Sequence, residues 1–102
     1  MIENPLAGQV RSELKKVIDP ELGINVIDLG LIYDLDIRQN HLKVVMTMTS
    51  PACPINAFLA ESIKSAILAT IPQIRSVEVE VVWEPPWSPQ KMSEEARRLL
   101  GY

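Results

Sequence analysis

Residues 31–54 decide the fold, and they read LIYDLDIRQNHLKVVMTMTSPACP. Apolar and polar residues alternate across 31–38 and again across 42–48, which predicts two strands that each bury one face. Gln39-Asn40 lies between them and predicts a short turn. The stretch therefore predicts an antiparallel β-hairpin that runs into a segment with one cysteine and two prolines.

This hairpin has one register in which the residues on both of its faces form favourable pairs. In this register, apolar side chains pair on the face towards the core, and opposite charges pair on the solvent-exposed face. The register predicts the pairs Arg38 with His41, Leu35 with Val44, and Asp36 with Lys43. In the second strand, Thr47 and Thr49 are expected to point away from the core.

Cys53 is the only cysteine of the chain. An apolar stripe over 55–71 predicts a helix that Pro72 ends, so Cys53 takes the N-cap position and Pro54 the first helical position. Free backbone N–H groups and the helix dipole there favour the thiolate over the thiol. The alternative interpretation is that Cys53 is a buried residue that only caps the helix, because free cysteine is among the most buried residue types.

The rest of the chain supplies two more helices and one more strand. Its patterns predict a first helix from Pro5 that ends near Ile18, a third strand over 77–83, and a short last helix capped by Ser93. Because a strand–helix–strand connection is right-handed, the third strand should run parallel to the second. The predicted fold class is α/β (α+β two-layer) in the order α-β-β-α-β-α, with a small three-stranded mixed sheet and helices on one face.

Three segments meet at one edge of this predicted sheet, namely residues 19–30, 49–53 and 83–87. Ligands usually bind at the carboxyl ends of parallel strands in open α/β sheets. We therefore expect the functional site at this edge, with Cys53 as its thiol. The neighbouring site residues would be Asp19, Glu21, Asp28 and Thr49.

Length and charge restrict the class of protein. The 102 residues fit a single domain over 1–102. A net charge of −3 and a pI near 5.1 argue against nucleic acid as a partner, and no apolar run is long enough for a membrane span. One cysteine cannot form an intrachain disulfide, which favours a reducing, cytoplasmic setting.

The available residue types also restrict the chemistry of the thiol. His41, the only histidine, belongs to the hairpin turn. At the usual rise per residue it lies about 20 Å or more from Cys53, which disfavours a Cys-His dyad. A closed zinc site or an iron–sulfur cluster needs four ligands. Because one chain supplies one thiol, no stable zinc site is expected, and a metal would be shared or held transiently.

Several groups of residues resemble the iron–sulfur (metal–sulfur) cluster assembly family, which has SufT-like and PaaD-like members. The groups are Asp19-Pro20-Glu21, Asp28-Leu29-Gly30-Leu31-Ile32-Tyr33, Thr49 with Cys53-Pro54, Trp83-Glu84-Pro85-Pro86-Trp87, and Met92-Ser93-Glu94-Glu95-Ala96-Arg97. The resemblance implies an assembly or carrier factor rather than an enzyme, with an iron–sulfur cluster bound transiently or between subunits through Cys53. It also implies partners, namely the iron–sulfur assembly machinery and client apoproteins, and the ligand count allows a second copy of the chain in a homodimer. The larger PaaD-type members carry additional cysteines, and their lack here argues against a stable zinc site.

Two other functions remain open. Cys53 can be read as the nucleophile of a thiol-dependent enzyme, with a carboxylate or water as base. The outer sheet face, with Ile32, Val45 and Val82 among charged residues, can be read as the docking surface of a non-catalytic interaction module.

Overall fold

The computed structural model describes residues 5–20, 22–49 and 55–101. Its helices and strands follow the predicted order α-β-β-α-β-α, with one additional pair of short strands between the first helix and the hairpin. The elements are α1 Pro5–Leu14, β1 Ile18–Asp19, β2 Ile24–Asn25, β3 Ile32–Arg38, β4 His41–Met46, α2 Ile55–Thr70, β5 Ser76–Val81, a 3₁₀ turn Pro89–Lys91, and α3 Glu94–Leu100. Within the described ranges, no helix has both the length and the apolarity to cross a membrane.

The main sheet has three strands in the order β3-β4-β5. β3 pairs with β4 antiparallel, and β5 pairs with β4 parallel, as the sequence predicts. The hairpin register is also confirmed. The observed pairs include Arg38 with His41, Leu35 with Val44, and Asp36 with Lys43.

The start of β3 departs from the simple alternation. The register shifts between Ile32 and Asp34, so Ile32 lies opposite Met46 while Asp34 lies opposite Val45. A bulge of this kind changes which face the residues before it occupy. Ile32 is therefore half-buried against the core, and the assignment of Ile32 to the outer sheet face is wrong.

The core lies between the sheet and the helices. α1 contacts both α2 and β3, and α2 contacts β5. Full burial of an aliphatic side chain contributes roughly 1.5–3 kcal/mol, so these contacts hold the two layers together. The fully buried residues of these elements include Val10, Leu14, Leu42, Val44, Met46, Ile63 and Ile67.

Two predicted boundaries are wrong, each because another contact competes with the pattern. α1 ends at Leu14 rather than near Ile18, because Ile18–Asp19 forms a short antiparallel ladder with Ile24–Asn25. β5 ends at Val81, and Trp83 lies outside the strand with 44% of its surface exposed. The prolines that follow Trp83 carry no N–H to extend a ladder.

Candidate functional site

The ends of β4 and β5 lie beside the loop before β3 at one edge of the sheet, and of the predicted site segment 49–53 the structure describes only residue 49. The backbone N–H of Thr47, just after β4, donates to the carbonyl of Leu31 at 2.8 Å. The N–H of Val82, just after β5, donates to the carbonyl of Met46, also at 2.8 Å. The carboxyl ends of β4 and β5 therefore adjoin the loop that leads into β3.

Two of the expected site residues, Cys53 and Glu21, lie outside the described residues, as does Pro54 with its helix-cap assignment. The helix that follows them, α2, begins at Ile55, two positions after the cysteine in the sequence, and has 16 residues. The structure thus describes the scaffold on both sides of the thiol-bearing segment.

Asp28 lies in a compact loop and is half-buried. Its carboxylate Oδ2 accepts a hydrogen bond from Asn25 Nδ2 at 2.7 Å, and its backbone N–H donates to Asn25 Oδ1 at 2.9 Å. These reciprocal bonds fix the carboxylate relative to β2. The Asp28 side chain is therefore held in one orientation at this edge.

Asp19 is buried, with only 4% of its surface exposed. Its carboxylate Oδ1 accepts from the N–H of Leu22 at 3.4 Å, and its carbonyl accepts from the N–H of Gly23 at 2.7 Å. Bonds of a short acidic side chain to the backbone a few residues on are typical of turns. Asp19 therefore shapes the turn between β1 and β2, and the same ladder links it to the segment that carries Asp28.

The two threonines after β4 differ from each other. Thr49, three residues after the end of β4, is exposed. Thr47 was expected to point outward as well, but it is fully buried, and its Oγ1 has no hydrogen-bond partner among the residues the structure describes. The chain leaves the strand after Met46, so the alternation no longer applies at Thr47. No sequence signal marks this buried hydroxyl beside the candidate site.

Residues 82–101, here called the C-terminal strap, lie across the loop that carries Asp28. The indole Nε1 of Trp87 donates to the carbonyl of Leu29 at 2.7 Å, and the hydroxyl of Tyr33 donates to the carbonyl of Pro85 at 2.7 Å. The backbone N–H of Ser93 donates to the carbonyl of Asp28 at 2.8 Å. The strap therefore contacts the loop at two points and the start of β3 at a third.

His41 is engaged at the opposite end of the sheet. Its Nδ1 lies 2.7 Å from Ser76 Oγ, and its Nε2 lies 3.5 Å from Glu78 Oε1. These contacts tie β4 to β5 at the hairpin end, where β4 begins, whereas Cys53 follows the end of β4. The placement agrees with the argument against a Cys-His dyad.

The outer sheet face is charged. Lys43 Nζ lies 2.9 Å from Glu80 Oε1, and this hydrogen bond together with the charge of Glu80 raises the pKa of Lys43 above its ordinary value. On the same face, Arg38 Nε lies 3.1 Å from Asp36 Oδ2. Within residues 5–20, 22–49 and 55–101 there is no cluster of three or more His, Cys, Asp or Glu side chains arranged to hold a metal ion.

Comparison with known proteins gives a consistent result. Residues 8–81 match the model of a family described as iron–sulfur cluster assembly protein. The chain is 40% identical over 101 residues to the Fe-S protein maturation auxiliary factor YitW of Bacillus subtilis, with 98% of each chain covered. It is 43% identical over 86 residues to the Fe-S protein maturation auxiliary factor SufT of Staphylococcus aureus, with 83% of this chain and 97% of that one covered.

Two solved structures share the fold over nearly the whole chain. A domain of unknown function from Bacillus anthracis has a TM-score of 0.88 at 36% identity and covers 96% of this chain and 98% of its own. A conserved hypothetical protein from Thermotoga maritima has a TM-score of 0.82 at 43% identity, with 100% of both chains covered. They confirm the predicted fold class.

Proposed function

This chain belongs to the iron–sulfur cluster assembly protein family, as the resemblance in its sequence predicted, and on that premise we propose that it is a maturation factor that acts through Cys53. In this proposal Cys53 holds an iron–sulfur intermediate, or a client's ligands, for a short time. The partners are the iron–sulfur assembly machinery and the client apoproteins that receive the cluster. The chain works as a single domain over 1–102, in the cytoplasm, where an unpaired thiol stays reduced.

The observation that supports the proposal is the position of the described residues on either side of the thiol-bearing segment. Thr47, which precedes this segment, is hydrogen-bonded to Leu31 at the end of the loop that carries Asp28. Ile55, which follows it, begins a helix of 16 residues. In the sequence, the segment joins these two elements, and the first of them ends at the edge where ligands bind in such sheets.

The number of ligands supports a shared or transient site. Cys53 is the only thiol, and a cluster needs about four ligands. Two chains in a homodimer, or one chain with a partner, complete the set. Carboxylates accept iron readily, so we propose Asp19, Glu21 and Asp28 as neighbouring groups, with the Thr49 hydroxyl beside them. A site completed by another molecule releases its cargo more easily than a closed one, which suits delivery.

The test is anaerobic incubation of the full chain with ferrous iron and sulfide. Thiolate-ligated iron gives charge-transfer absorbance, and we expect Cys53→Ser to abolish it while the far-UV circular dichroism stays unchanged. Asp28→Asn should reduce the yield, whereas the control Asp34→Asn, an exposed acid on the outer sheet face, should not. Undiminished absorbance in Cys53→Ser would overturn the proposal.

Native mass spectrometry of the same samples reports the stoichiometry. A mass of two chains with one cluster supports intersubunit sharing, and one chain with one cluster and added small thiols supports a transient site. The apparent pKa of Cys53, measured by alkylation rate against pH, tests the helix-terminus argument. A value at or above about 8.5 would contradict it.

A further inference from the structure

β5 forms one edge of the main sheet, and no other described segment pairs with its outer side. On its inner side, β5 follows β4 in an unbroken parallel register, from His41 with Ser76 to Met46 with Val81. It contains neither a proline nor a bulge, the features that commonly protect an edge strand. A regular exposed edge of this kind is a template on which another strand can pair.

The alternation of the backbone decides which groups of β5 face the open edge. The N–H of Val82, just after β5, donates to the carbonyl of Met46 on β4, so the even-numbered residues of β5 bond to β4. Successive residues of a strand turn their backbone N–H and C=O groups to opposite sides. The donors and acceptors of Val77, Val79 and Val81 therefore point to the open edge.

The side chains along this edge alternate between apolar and acidic. Val77, Val79 and Val81 are half-buried at the margin of the core, so apolar surface stays uncovered beside the open backbone groups. Glu78 and Glu80 lie between them on the outer face, with 56% and 46% of their side chains exposed. Because directly opposite side chains of paired strands lie on the same face, an added strand would place alternate residues against the valines and against the carboxylates.

The charge of the sheet indicates which residues an added strand would carry. The three strands together contain more carboxylates than permanent cations. They are Asp34, Asp36, Glu78 and Glu80 against Arg38 and Lys43. Lys43 already pairs with Glu80, and Glu78 faces His41, which is charged only when it is protonated. The edge therefore favours basic side chains and disfavours acidic ones.

We propose that the open edge of β5 binds an extended segment of a partner protein in which apolar and basic residues alternate, so that this segment becomes a further strand of the sheet. Its backbone pairs with the three valines, and its basic side chains meet Glu78 and Glu80. In strand addition, backbone bonds provide the affinity and alternate side chains the specificity. A second copy of β5 fits less well, because its glutamates would face Glu78 and Glu80. The inference goes beyond the proposed function, since it depends neither on Cys53 nor on a cluster.

The test uses the full chain and a blocked peptide of six residues, the length of β5, in which valine and lysine alternate. Amide hydrogen exchange by NMR locates the peptide. At a peptide concentration about ten times the Kd, exchange at Val77, Val79 and Val81 should slow by about tenfold. The amides of Glu78 and Glu80 already bond to β4 and should change by less than about twofold. Equal protection of both sets, protection confined to β3, or no binding would overturn the inference.

Two kinds of control peptide separate charge from backbone pairing. A peptide with glutamate in place of lysine should bind at least about tenfold more weakly, because it sets like charges opposite each other. Methylation of the backbone nitrogens removes donors, and only every second donor of a paired strand faces its neighbour. Methylation of the valines and methylation of the lysines should therefore weaken binding unequally. Equal effects of the two methylations, or equal binding of the glutamate peptide, would contradict the proposed pairing.

The variant Glu78→Gln/Glu80→Gln tests the edge itself, and Asp34→Asn/Asp36→Asn is the matched control, since it removes the same charge from β3. The glutamate variant should weaken binding of the valine–lysine peptide by roughly three- to tenfold, the effect of two exposed ion pairs, and the control should change it by less than about twofold. Equal weakening would show that the peptide responds only to the net charge of the chain. Self-association of the chain with slowed exchange at the valines would assign the edge to a second copy, and either result would overturn the inference.

Discussion

Gly30→Ala is expected to destabilise the fold much more than another glycine change at a similar backbone angle. A left-handed conformation costs a residue with a Cβ about 1–2 kcal/mol. The new Cβ would also meet the Lys91 carbonyl oxygen at 2.2 Å and its carbon at 2.7 Å, both backbone atoms that cannot rotate away. Forced overlap of this kind costs a further 1–3 kcal/mol or so, which gives about 2–5 kcal/mol in total.

Gly23→Ala is the matched control. Gly23 has φ +71°, but a Cβ there meets nothing within 4 Å, so its substitution costs only the backbone term of about 1–2 kcal/mol. Replacing glycine by alanine also lowers the conformational entropy of the unfolded chain, which stabilises the fold. This effect is common to both variants and cancels in the difference between them. The difference of about 1–3 kcal/mol isolates the contact between loop and strap.

Urea denaturation followed by circular dichroism measures this difference, provided that the slope m is the same for both variants. In a chain of this size we expect Gly30→Ala to lower the melting temperature by at least roughly 4 °C more than Gly23→Ala does. Equal losses for the two variants would show that the Lys91 backbone does not press on Gly30 and would refute this reasoning.

The remaining predictions concern a buried hydroxyl and a surface ion pair. Thr47→Val should raise the free energy of unfolding by about 1 kcal/mol in urea denaturation, because a methyl group replaces a buried hydroxyl without a partner among the described residues; a loss of stability would show that the hydroxyl is bonded. Glu80→Gln should lower the pKa of Lys43 towards its ordinary value in an NMR titration, since Glu80 supplies both the hydrogen bond and the charge that raise it. Because the pKa of Lys43 is higher in the folded than in the unfolded chain, the ion pair stabilises the fold fully below the unfolded pKa of about 10.4. This stabilisation is lost as the pH rises through the pKa of Lys43 in the folded chain. The stability difference between Glu80→Gln and wild type should therefore shrink in alkaline solution and in high salt.

The hairpin register was predictable because two independent patterns agree on it. The apolar alternation fixes which residues face the core, and the charge pair Asp36 with Lys43 fixes the offset between the strands. The parallel placement of β5 followed from the handedness of the connection. These features determine the edge of the sheet, which is why the contact between the predicted segments 19–30 and 83–87 was predictable as well.

The features that were not predicted from the sequence lack a repeating pattern of apolar residues. The ladder of Ile18–Asp19 with Ile24–Asn25 has two residues per strand, too few for an alternation. The bulge before Asp34 and the burial of Thr47 arise where a strand begins or ends, so the pattern of the strand interior does not apply there. The contacts of Trp87 and Tyr33 go to backbone carbonyls, which every residue type carries and no side-chain pattern reveals.

Most backbone groups of the loop that carries Asp28 are hydrogen-bonded, and this restricts how far the loop can move. Its amide groups bond inward, and its carbonyls accept from the strap and from the end of β4. The inward bonds run from Leu29 to Asn25, from Gly30 to Ile27, and from Leu31 to Val26. Each bond lost from a buried backbone group costs about 1–3 kcal/mol, so displacement of the Asp28 carboxylate requires several such losses at once. The described side of the candidate site is therefore preorganised, and we expect this loop to keep its conformation when a partner binds.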